Sequence, residues 1–314
     1  MRDSCGREIR YLRISVTDLC NYRCRYCMDE DGVKKRAHRD MLSFEEITEI
    51  TTAAARLGIE KVRLTGGEPL VRRGLPDLCR MLKAVPGMQE LAITTNGSLL
   101  PALADALKAA GVDRLNVSLD TLHPDRFASI TRCGTLSDVL AGLDAAEKAG
   151  FTGTKLNTVL LGGFNDDEIA DFAALTRDRD LSVRFIELMP IGFAANAGAT
   201  YLPADAVLKA VPALEPVETR GVARVYRVPG YRGTVGLITP LSEKFCASCD
   251  RVRLTADGKL KPCLHSAAEI PLRGLHGAAL EQALSDAIFH KPKEHHIDAA
   301  HRSESPRSMY EIGG

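Results

Sequence analysis

Residues 9–27 read IRYLRISVTDLCNYRCRYC, a β-strand pattern that runs directly into three closely spaced cysteines. The β-branched and aromatic residues predict a strand at Ile9–Ser15. Cys20, Cys24 and Cys27, called the first triad below, follow in a C-x3-C-x2-C arrangement on a loop at the carboxyl end of that strand. In β/α proteins this edge of the sheet is where ligands bind. The stretch therefore predicts an α/β fold with a thiol-rich ligand site.

Five further β-rich runs alternate with helical segments through the N-terminal part of the chain, as in a parallel sheet or barrel. Ser43 and Glu46 form a capping-box pattern at the start of the first helix. We predict a partial (β/α)6 TIM-like barrel at residues 1–195, a smaller C-terminal region at 196–289, and a flexible tail at 290–314. The other predicted strands are Lys61–Thr65, Leu91–Thr95, Arg114–Leu119, Leu156–Leu161 and Val183–Leu188.

The composition excludes several classes of function. The 41 basic and 41 acidic residues cancel, so net charge gives no reason to expect nucleic-acid or membrane binding. We find no run of 18 apolar residues and no secretion signal. Six of the nine cysteines fall into two tight groups, which suits metal ligation in a reducing compartment. We therefore expect a cytoplasmic protein that binds any anion locally.

The first triad leaves one metal position open. A four-iron cube normally takes four thiolates, so three thiolates leave one iron free for a small molecule. Spacing alone also permits a structural zinc site or buried free thiols.

The second strand runs into Thr65-Gly66-Gly67-Glu68-Pro69, where the glycines allow a ligand to approach the backbone closely. Such a segment alone is ordinary turn chemistry. Its position after a strand and a thiol triad makes it a candidate ligand loop.

Basic side chains stand on predicted strands that should be largely buried: Arg13, Lys61, Arg63, Lys155 and Arg184. Residues two apart on a strand share a face, and a buried cation needs an anionic partner. Local carboxylates such as Glu68, Asp120 and Glu187 are one possible source of that charge. A bound triphosphate is the other, because arginine binds phosphate in a bidentate manner.

A second triad lies in residues 246–264, which read CASCDRVRLTADGKLKPCL. Cys246, Cys249 and Cys263 again supply three thiols, in a C-x2-C-x13-C arrangement. A zinc site would need a fourth ligand, for which His265 is a candidate. The two arginines beside the thiols instead favour a phosphate-bearing ligand.

The two triads, the GGEP segment and the pattern C-x2-C-x-R-x-R-L-T-x-D-G-x-L-x-x-C-L resemble the molybdenum-cofactor biosynthesis protein A family. These are the GTP 3′,8-cyclases of the radical S-adenosylmethionine superfamily, and the resemblance runs from Arg13 to Gly314. It implies two [4Fe-4S] clusters, with S-adenosylmethionine on the first and the guanine base of GTP on the second. It also implies conversion of GTP to (8S)-3′,8-cyclo-7,8-dihydro-GTP, by hydrogen abstraction at C3′ and attack on C8, for a downstream cyclic pyranopterin monophosphate synthase.

The residues and the resemblance together assign roles. The predicted GTP contacts are Arg13, Lys61, Arg63, Thr94, Lys155, Arg184, Arg251, Val252 and Arg253. The predicted S-adenosylmethionine contacts are Tyr26, Gly66, Gly67, Glu68, Ser118 and Met189. Catalytic roles are expected for Arg13, Arg251, Arg253, Gly313 and Gly314, the last two because the family's double-glycine tail reaches the active site. Two departures are Met28-Asp29-Glu30 after the first triad, where the family commonly has Met-Pro, and Asp250 in place of Asn.

Two other functions remain open at the level of sequence. One is a different radical S-adenosylmethionine enzyme with an auxiliary cluster, and the other is a non-catalytic iron–sulfur or zinc protein. Neither requires the paired arginines of the second triad. For the cyclase we expect GTP as substrate, no nucleic-acid or membrane partner, and a monomer or homodimer, with the electron donor undefined. The His-rich stretch 290–301 is expected to be a solvated polar tail.

Overall fold

The computed structural model describes residues 1–33, 38–196, 200–298 and 302–313. Within these residues one sheet of twelve strands runs through the molecule. Its strands are β1 (Tyr11–Ser15), β2 (Lys61–Thr65), β3 (Glu90–Thr95), β4 (Arg114–Ser118), β5 (Thr154–Leu160), β6 (Leu181–Glu187), β7 (Glu215–Arg220), β8 (Ala223–Arg227), β9 (Thr234–Ile238), β10 (Arg251–Leu254), β11 (Lys259–Lys261) and β12 (Ile270–Pro271). The helices are α1 (Phe44–Arg56), α2 (Leu75–Lys83), α3 (Leu100–Ala109), α4 (Pro124–Thr131), α5 (Leu136–Lys148), α6 (Ile169–Ala174), α7 (Asp205–Ala210), α8 (Gly277–Phe289) and α9 (Met309–Ile312).

Strands β1 to β6 are parallel and lie side by side in chain order. Helices α1 to α6 connect them and cover the outer face, as parallel β/α units require. The predicted partial (β/α)6 barrel is confirmed. The barrel stays open because β1 pairs with β10 and β6 pairs with β9, while β1 and β6 do not pair with each other.

The C-terminal region extends both edges of this sheet. β9 continues the sheet beyond β6, and β10 continues it beyond β1, in both cases with parallel pairing. The sequence predicts a less regular region here, whereas the structure contains six short strands. β7–β8, β8–β9, β10–β11 and β11–β12 are local antiparallel pairs. The pairing of β9 with β6 and of β10 with β1 joins distant parts of the chain, so no local pattern signals it. Strands from both sides of the proposed boundary at residue 195 belong to one sheet. The domain boundaries stay a prediction.

Helix α1 begins as its sequence predicts. The Glu46 amide donates to the Ser43 hydroxyl at 3.1 Å, and the Ser43 amide donates to the Glu46 carboxylate at 2.7 Å. This capping box satisfies two amides that the first helical turn leaves without partners. Helix α8 packs against α1 on the outside of the sheet.

The tail makes buried contacts over the residues that the structure describes, and its flexibility stays a prediction. The buried Lys291 ammonium donates to the Arg251 and Pro262 carbonyls at 2.8 and 2.6 Å. Arg307 forms ion pairs with two carboxylates, and Ile312 is fully buried. The expectation of a solvated His-rich stretch is wrong at His295, whose side chain is buried. Residues 299–301 and Gly314 lie outside the described residues.

Candidate active site

A cavity of about 890 Å³ lies inside the open barrel and reaches the C-terminal region. Its lining includes residues of β1 to β6 and β10. The cavity brings together these predicted site residues: Arg13, Lys61, Arg63, Thr94, Lys155, Arg184, Met189, Arg251, Arg253, Cys246, Cys249 and Cys263. The second triad therefore faces the cations of the barrel across one space.

Strand register explains why the cations meet. Arg13 on β1 lies opposite Arg63 on β2 and opposite Arg253 on β10. Equivalent positions on paired strands point to the same side of a sheet, so the three guanidiniums form a row across three neighbouring strands. We call Arg253, Arg13 and Arg63 the arginine row. Arg251 joins the same face because it lies two residues before Arg253.

Positive charge dominates the cavity, although Lys61 lies 3.9 Å from Glu60 and Arg251 lies 3.7 Å from Asp250. Burial, followed by the charge of Arg253, holds the pKa of Arg13 well below its ordinary value. Burial and Arg251 lower the pKa of Arg253 to about 10. Burial and the charges of Arg184 and Arg63 lower the pKa of Lys155 to about 7. Desolvation and like charge both disfavour the protonated form, so each shift signals a missing counter-ion.

The local carboxylates do not supply that counter-ion. Glu68, Asp120 and Glu187 all accept hydrogen bonds from hydroxyls and amides, mostly of neighbouring segments. Within the described part of the chain, none of the three forms an ion pair with a cation of the barrel. The alternative in which these carboxylates neutralise the strand cations is wrong.

Several buried polar atoms along the cavity have no hydrogen-bond partner among the described residues. Buried polar atoms are nearly always hydrogen-bonded in native proteins, so a group of exceptions marks a place for a ligand. The exceptions that line the cavity are Nε of Arg13, Arg63 and Arg184, Nη2 of Arg251, Oγ1 of Thr94, Oδ1 of Asn116 and Asn157, Nδ1 of His295, and the hydroxyl of Tyr11.

The first triad lies on the loop after β1, as predicted. Burial raises the pKa of Cys20 to about 11 and that of Cys27 to about 12. Cys27 accepts a hydrogen bond from the Tyr310 amide, so the C-terminal tail reaches this loop. The Tyr26 hydroxyl donates to Asp120 at 2.5 Å, which fixes the aromatic ring between two of the cysteines.

The two glycines after β2 allow this loop to pack against the loop of the first triad. A Cβ on Gly66 would collide with the Thr17 carbonyl oxygen, and a Cβ on Gly67 would collide with that of Leu19. Gly66 also has a φ of +140°, where side chains are strained. The Glu68 carboxylate is buried, which raises its pKa to about 7. Its accepted hydrogen bonds join the ends of β2 and β3.

The second triad lies among cations. Burial raises the pKa of the Cys249 thiol, but the charges of Lys291 and Arg251 outweigh burial, so the pKa falls below its ordinary value. His265, the candidate zinc ligand, packs against the His295 ring with 4.6 Å between centroids. Burial, followed by His295, lowers the pKa of His265 to about 3, so its imidazole is neutral.

The C-terminal tail lies between the two triads. Arg253 donates to the Gly313 carbonyl, and Gly313 has a φ of +81°. A Cβ at Gly313 would collide with the Thr65 hydroxyl. Glycine is therefore required here both by the backbone conformation and by the close approach.

Comparison with known proteins decides the family. A family model described as the Radical SAM superfamily matches residues 14–176, and one described as Molybdenum Cofactor Synthesis C matches residues 181–297. A GTP 3′,8-cyclase of Peptoclostridium acidaminophilum is 50% identical over 99% of this chain and 98% of its own. A GTP 3′,8-cyclase of Moorella thermoacetica is 50% identical over the full length of both chains. The chain belongs to the GTP 3′,8-cyclase family, within the radical S-adenosylmethionine superfamily.

A solved structure supports the same fold at much lower identity. Streptococcus suis SuiB has a TM-score of 0.62 and 13% identity, over 91% of this chain and 66% of its own. Within the described residues no helix is both long and apolar enough to cross a membrane.

The thiol sites fit iron–sulfur cubes of this family. Among the described side chains, no three of His, Cys, Asp or Glu converge as the ligands of a single metal ion would. A cube does not need such convergence, because each of its thiolates binds a different iron. Nη2 of Arg251 lies beside the second triad and has no hydrogen-bond partner among the described residues, which fits an anionic ligand. The glycine loop packs directly on the loop of the first triad and so orders the thiols that would hold a cube.

Some predicted contacts lie elsewhere. Val252 is buried on the opposite face of β10 from its neighbouring arginines, so only its backbone can reach the cavity. Ser118 stands opposite Asn157 at the end of β4, outside the lining of the cavity. Three of the four lone-pair positions of Glu68 are used by the protein, which leaves one for a ligand. Direct contacts of these residues stay predictions.

Sequence reasoning missed other residues of the site. Tyr11 lies two residues before Arg13 and therefore on the same face, a signal that alternation could have given. Lys291 lines the cavity from the tail, and Phe245 lies under the Arg251 guanidinium at 5.3 Å. Neither has a local signal, because both reach the site through tertiary packing.

Proposed function

We propose that this chain is a GTP 3′,8-cyclase, which forms (8S)-3′,8-cyclo-7,8-dihydro-GTP in the first step of molybdenum cofactor biosynthesis. Its cofactors are S-adenosylmethionine and two [4Fe-4S] clusters, one on each triad. One observation carries the proposal: the arginine row, which has no carboxylate partner among the described residues, faces the second triad across a single cavity. The full-length relatives with that activity in their names agree with it.

The first triad and the glycine loop hold S-adenosylmethionine. Bound there, the cofactor and its cluster supply the radical chemistry that removes a hydrogen atom from C3′ of the ribose, for which no side chain of this site is suited. Gly66 and Gly67 hold the glycine loop directly against the backbone of the first triad's loop, so both segments face the same ligand. Tyr26, fixed by Asp120, closes the side of the loop.

The cations of the barrel hold the triphosphate. In the arginine row, Nε of Arg13 and of Arg63 are donors that the described residues leave unused. Lys155 regains its proton when a phosphate replaces the missing counter-ion. With the phosphates bound on the barrel and the guanine base at the second triad, GTP is held at both ends. Two-ended binding fixes the ribose between the triads and lowers the entropic cost of reaction.

The docked tail closes the site. Residues 310–313 lie between the first triad and Arg253, so the tail excludes water from the space where the sugar is placed. Gly313 contributes a carbonyl that accepts from Arg253, so the end of the tail is fixed to the arginine row.

The same proposal includes the surroundings of the reaction. A cyclic pyranopterin monophosphate synthase consumes the product, a separate reductant supplies electrons, and the enzyme acts as a monomer or homodimer. A cytoplasmic location suits it because the thiols of both triads must stay reduced to bind iron.

Anaerobic turnover tests the function. Reconstituted protein is incubated with GTP, S-adenosylmethionine and dithionite, and the mixture is analysed by liquid chromatography and mass spectrometry. We expect 5′-deoxyadenosine and a cyclised GTP product in equal amounts. Deoxyadenosine without a cyclised product would favour another radical enzyme, and neither product, with zinc as the bound metal, would favour a non-catalytic protein.

A further inference from the structure

We infer that Arg7 is a positioning residue for the second cluster, whose guanidinium fixes the loop of the second triad against the C-terminal tail. This residue lies before β1 and ahead of both family matches. It rests on the proposed cofactor set, because it assigns a role toward the second of the two clusters.

Every N–H of the Arg7 guanidinium has a partner. Nε donates to Asp3 at 2.6 Å, in an ion pair whose side chains are 7% and 0% exposed. Nη1 donates to the Cys246 carbonyl at 2.9 Å and the Lys293 carbonyl at 2.8 Å. Nη2 donates to the Pro292 and Lys291 carbonyls at 2.7 and 3.3 Å. Only arginine offers five donors in a rigid fork, so no other side chain can make this set.

The partners of Arg7 connect the two ends of the second triad. Cys246 is its first thiol, and Lys291 continues the connection to the rest. The Lys291 ammonium donates to the carbonyl of Pro262, which precedes Cys263, and to that of Arg251 on β10. Arg7 and Lys291 together fix the backbone at Cys246, at Arg251 and at Pro262.

The contacts are confined to the second site. Among the described residues, the Arg7 side chain donates to the Asp3 carboxylate and to backbone carbonyls of Cys246 and 291–293. None of these partners lies in the loop of the first triad. Burying a guanidinium costs free energy unless all of its donors are paired. The five hydrogen bonds of Arg7 offset that cost. Loss of Arg7 should therefore loosen one cluster and leave the other in place.

The test compares Arg7→Gln and Arg7→Lys with Arg10→Gln. Arg10 is on the same segment, but its side chain is 45% exposed, and among the described residues it forms ion pairs with Glu8 and Glu60 alone. Each protein is reconstituted anaerobically, and its bound iron per chain is measured. Electron paramagnetic resonance then distinguishes the two reduced clusters. We expect about eight irons in the unaltered chain and in Arg10→Gln, and about four in Arg7→Gln, since each cube holds four.

The spectrum identifies which cluster is lost. In Arg7→Gln the signal that changes on addition of S-adenosylmethionine should persist, and the signal that changes on addition of GTP should disappear. Arg7→Lys, which keeps the charge and part of the donors, should recover part of the second signal.

The outcomes separate the two proposals. Eight irons with both signals intact in Arg7→Gln would refute the positioning role, and so would loss of both clusters together or an unfolded chain by circular dichroism. Fewer than eight irons in the unaltered chain would instead refute the proposed cofactor set.

Discussion

The two thiol triads are held by opposite kinds of structure. The first occupies one loop after β1, and its three thiols lie within residues 20–27. The second divides between a short turn at Cys246–Ser248 and the end of β11, and side chains from residues 7 and 291 fix it in place. A local motif thus builds one site, whereas pairing of distant strands builds the other.

Their electrostatic surroundings differ in the same way. The first triad lies near Asp120 and Glu68, and burial raises the pKa of its thiols. At the second triad burial also raises the pKa of Cys246, but Lys291 and Arg251 lower the pKa of Cys249 against the effect of burial. The second site is therefore prepared for a negatively charged molecule, as the arginine row beside it requires.

Loss of one thiol from each triad gives the largest expected effects. Cys24→Ser should abolish formation of both 5′-deoxyadenosine and cyclised GTP. Cys263→Ser should abolish only the cyclised product, since the first site remains intact. Chromatography of anaerobic turnover mixtures measures both products, with exposed Cys5→Ser as the control that keeps full activity. Equal loss of deoxyadenosine in both variants would mean that the two sites do not act separately.

Gly313→Ala tests whether the tail connects the two sites. The added Cβ would collide with Thr65, and a left-handed φ costs roughly 1–2 kcal/mol for a residue with a side chain. We expect turnover to fall at least about tenfold while iron content stays unchanged. Gly274→Ala is the matched control, because Gly274 has a φ of +78° but open space around its Cβ position. Similar losses in both variants would attribute the effect to backbone strain alone.

The smallest expected effect is a pH dependence of GTP binding that comes from Lys155, which lines the cavity. Its pKa of about 7 in the free protein lies below the ordinary value, so the side chain must take up a proton to bind phosphate above neutral pH. GTP affinity should therefore fall as pH rises above 7, approaching tenfold per pH unit, while the terminal phosphate, with a pKa of about 6, is already ionised. Equilibrium dialysis measures the affinity.

Lys155→Arg provides the comparison, because arginine stays protonated across this range. We expect its GTP affinity to be flat between pH 7 and 9. A slope in this variant equal to that of the unaltered chain would assign the titration to another group.

The parts of the fold that sequence predicts are those with local signals. β2 matches its predicted bounds at Lys61–Thr65, and the capping box places the start of α1 correctly. The first triad and the glycine loop follow their strands as expected. The pairing of β10 with β1 could not be predicted, because it joins residues about 240 positions apart and depends on the whole sheet.

The same limit applies to the candidate site. Sequence predicts that Arg13 and Arg63 point to the same side, since each is on a strand with a polar stripe. It does not predict that Arg253 continues the row, or that Arg7 binds the second triad, since both facts depend on long-range register and packing. The roles of the predicted contacts stay predictions that the experiments above address.

The arginine row also links ligand supply to the durability of the fold. Neighbouring guanidiniums repel one another, so folding without a bound anion proceeds against their mutual repulsion. Any polyanion that fills the cavity removes this penalty and binds only the native state, which raises the melting temperature in proportion to the logarithm of its concentration. In a cell short of nucleotide triphosphate, the enzyme would then become easier to unfold and degrade, and its abundance would follow that of its own substrate.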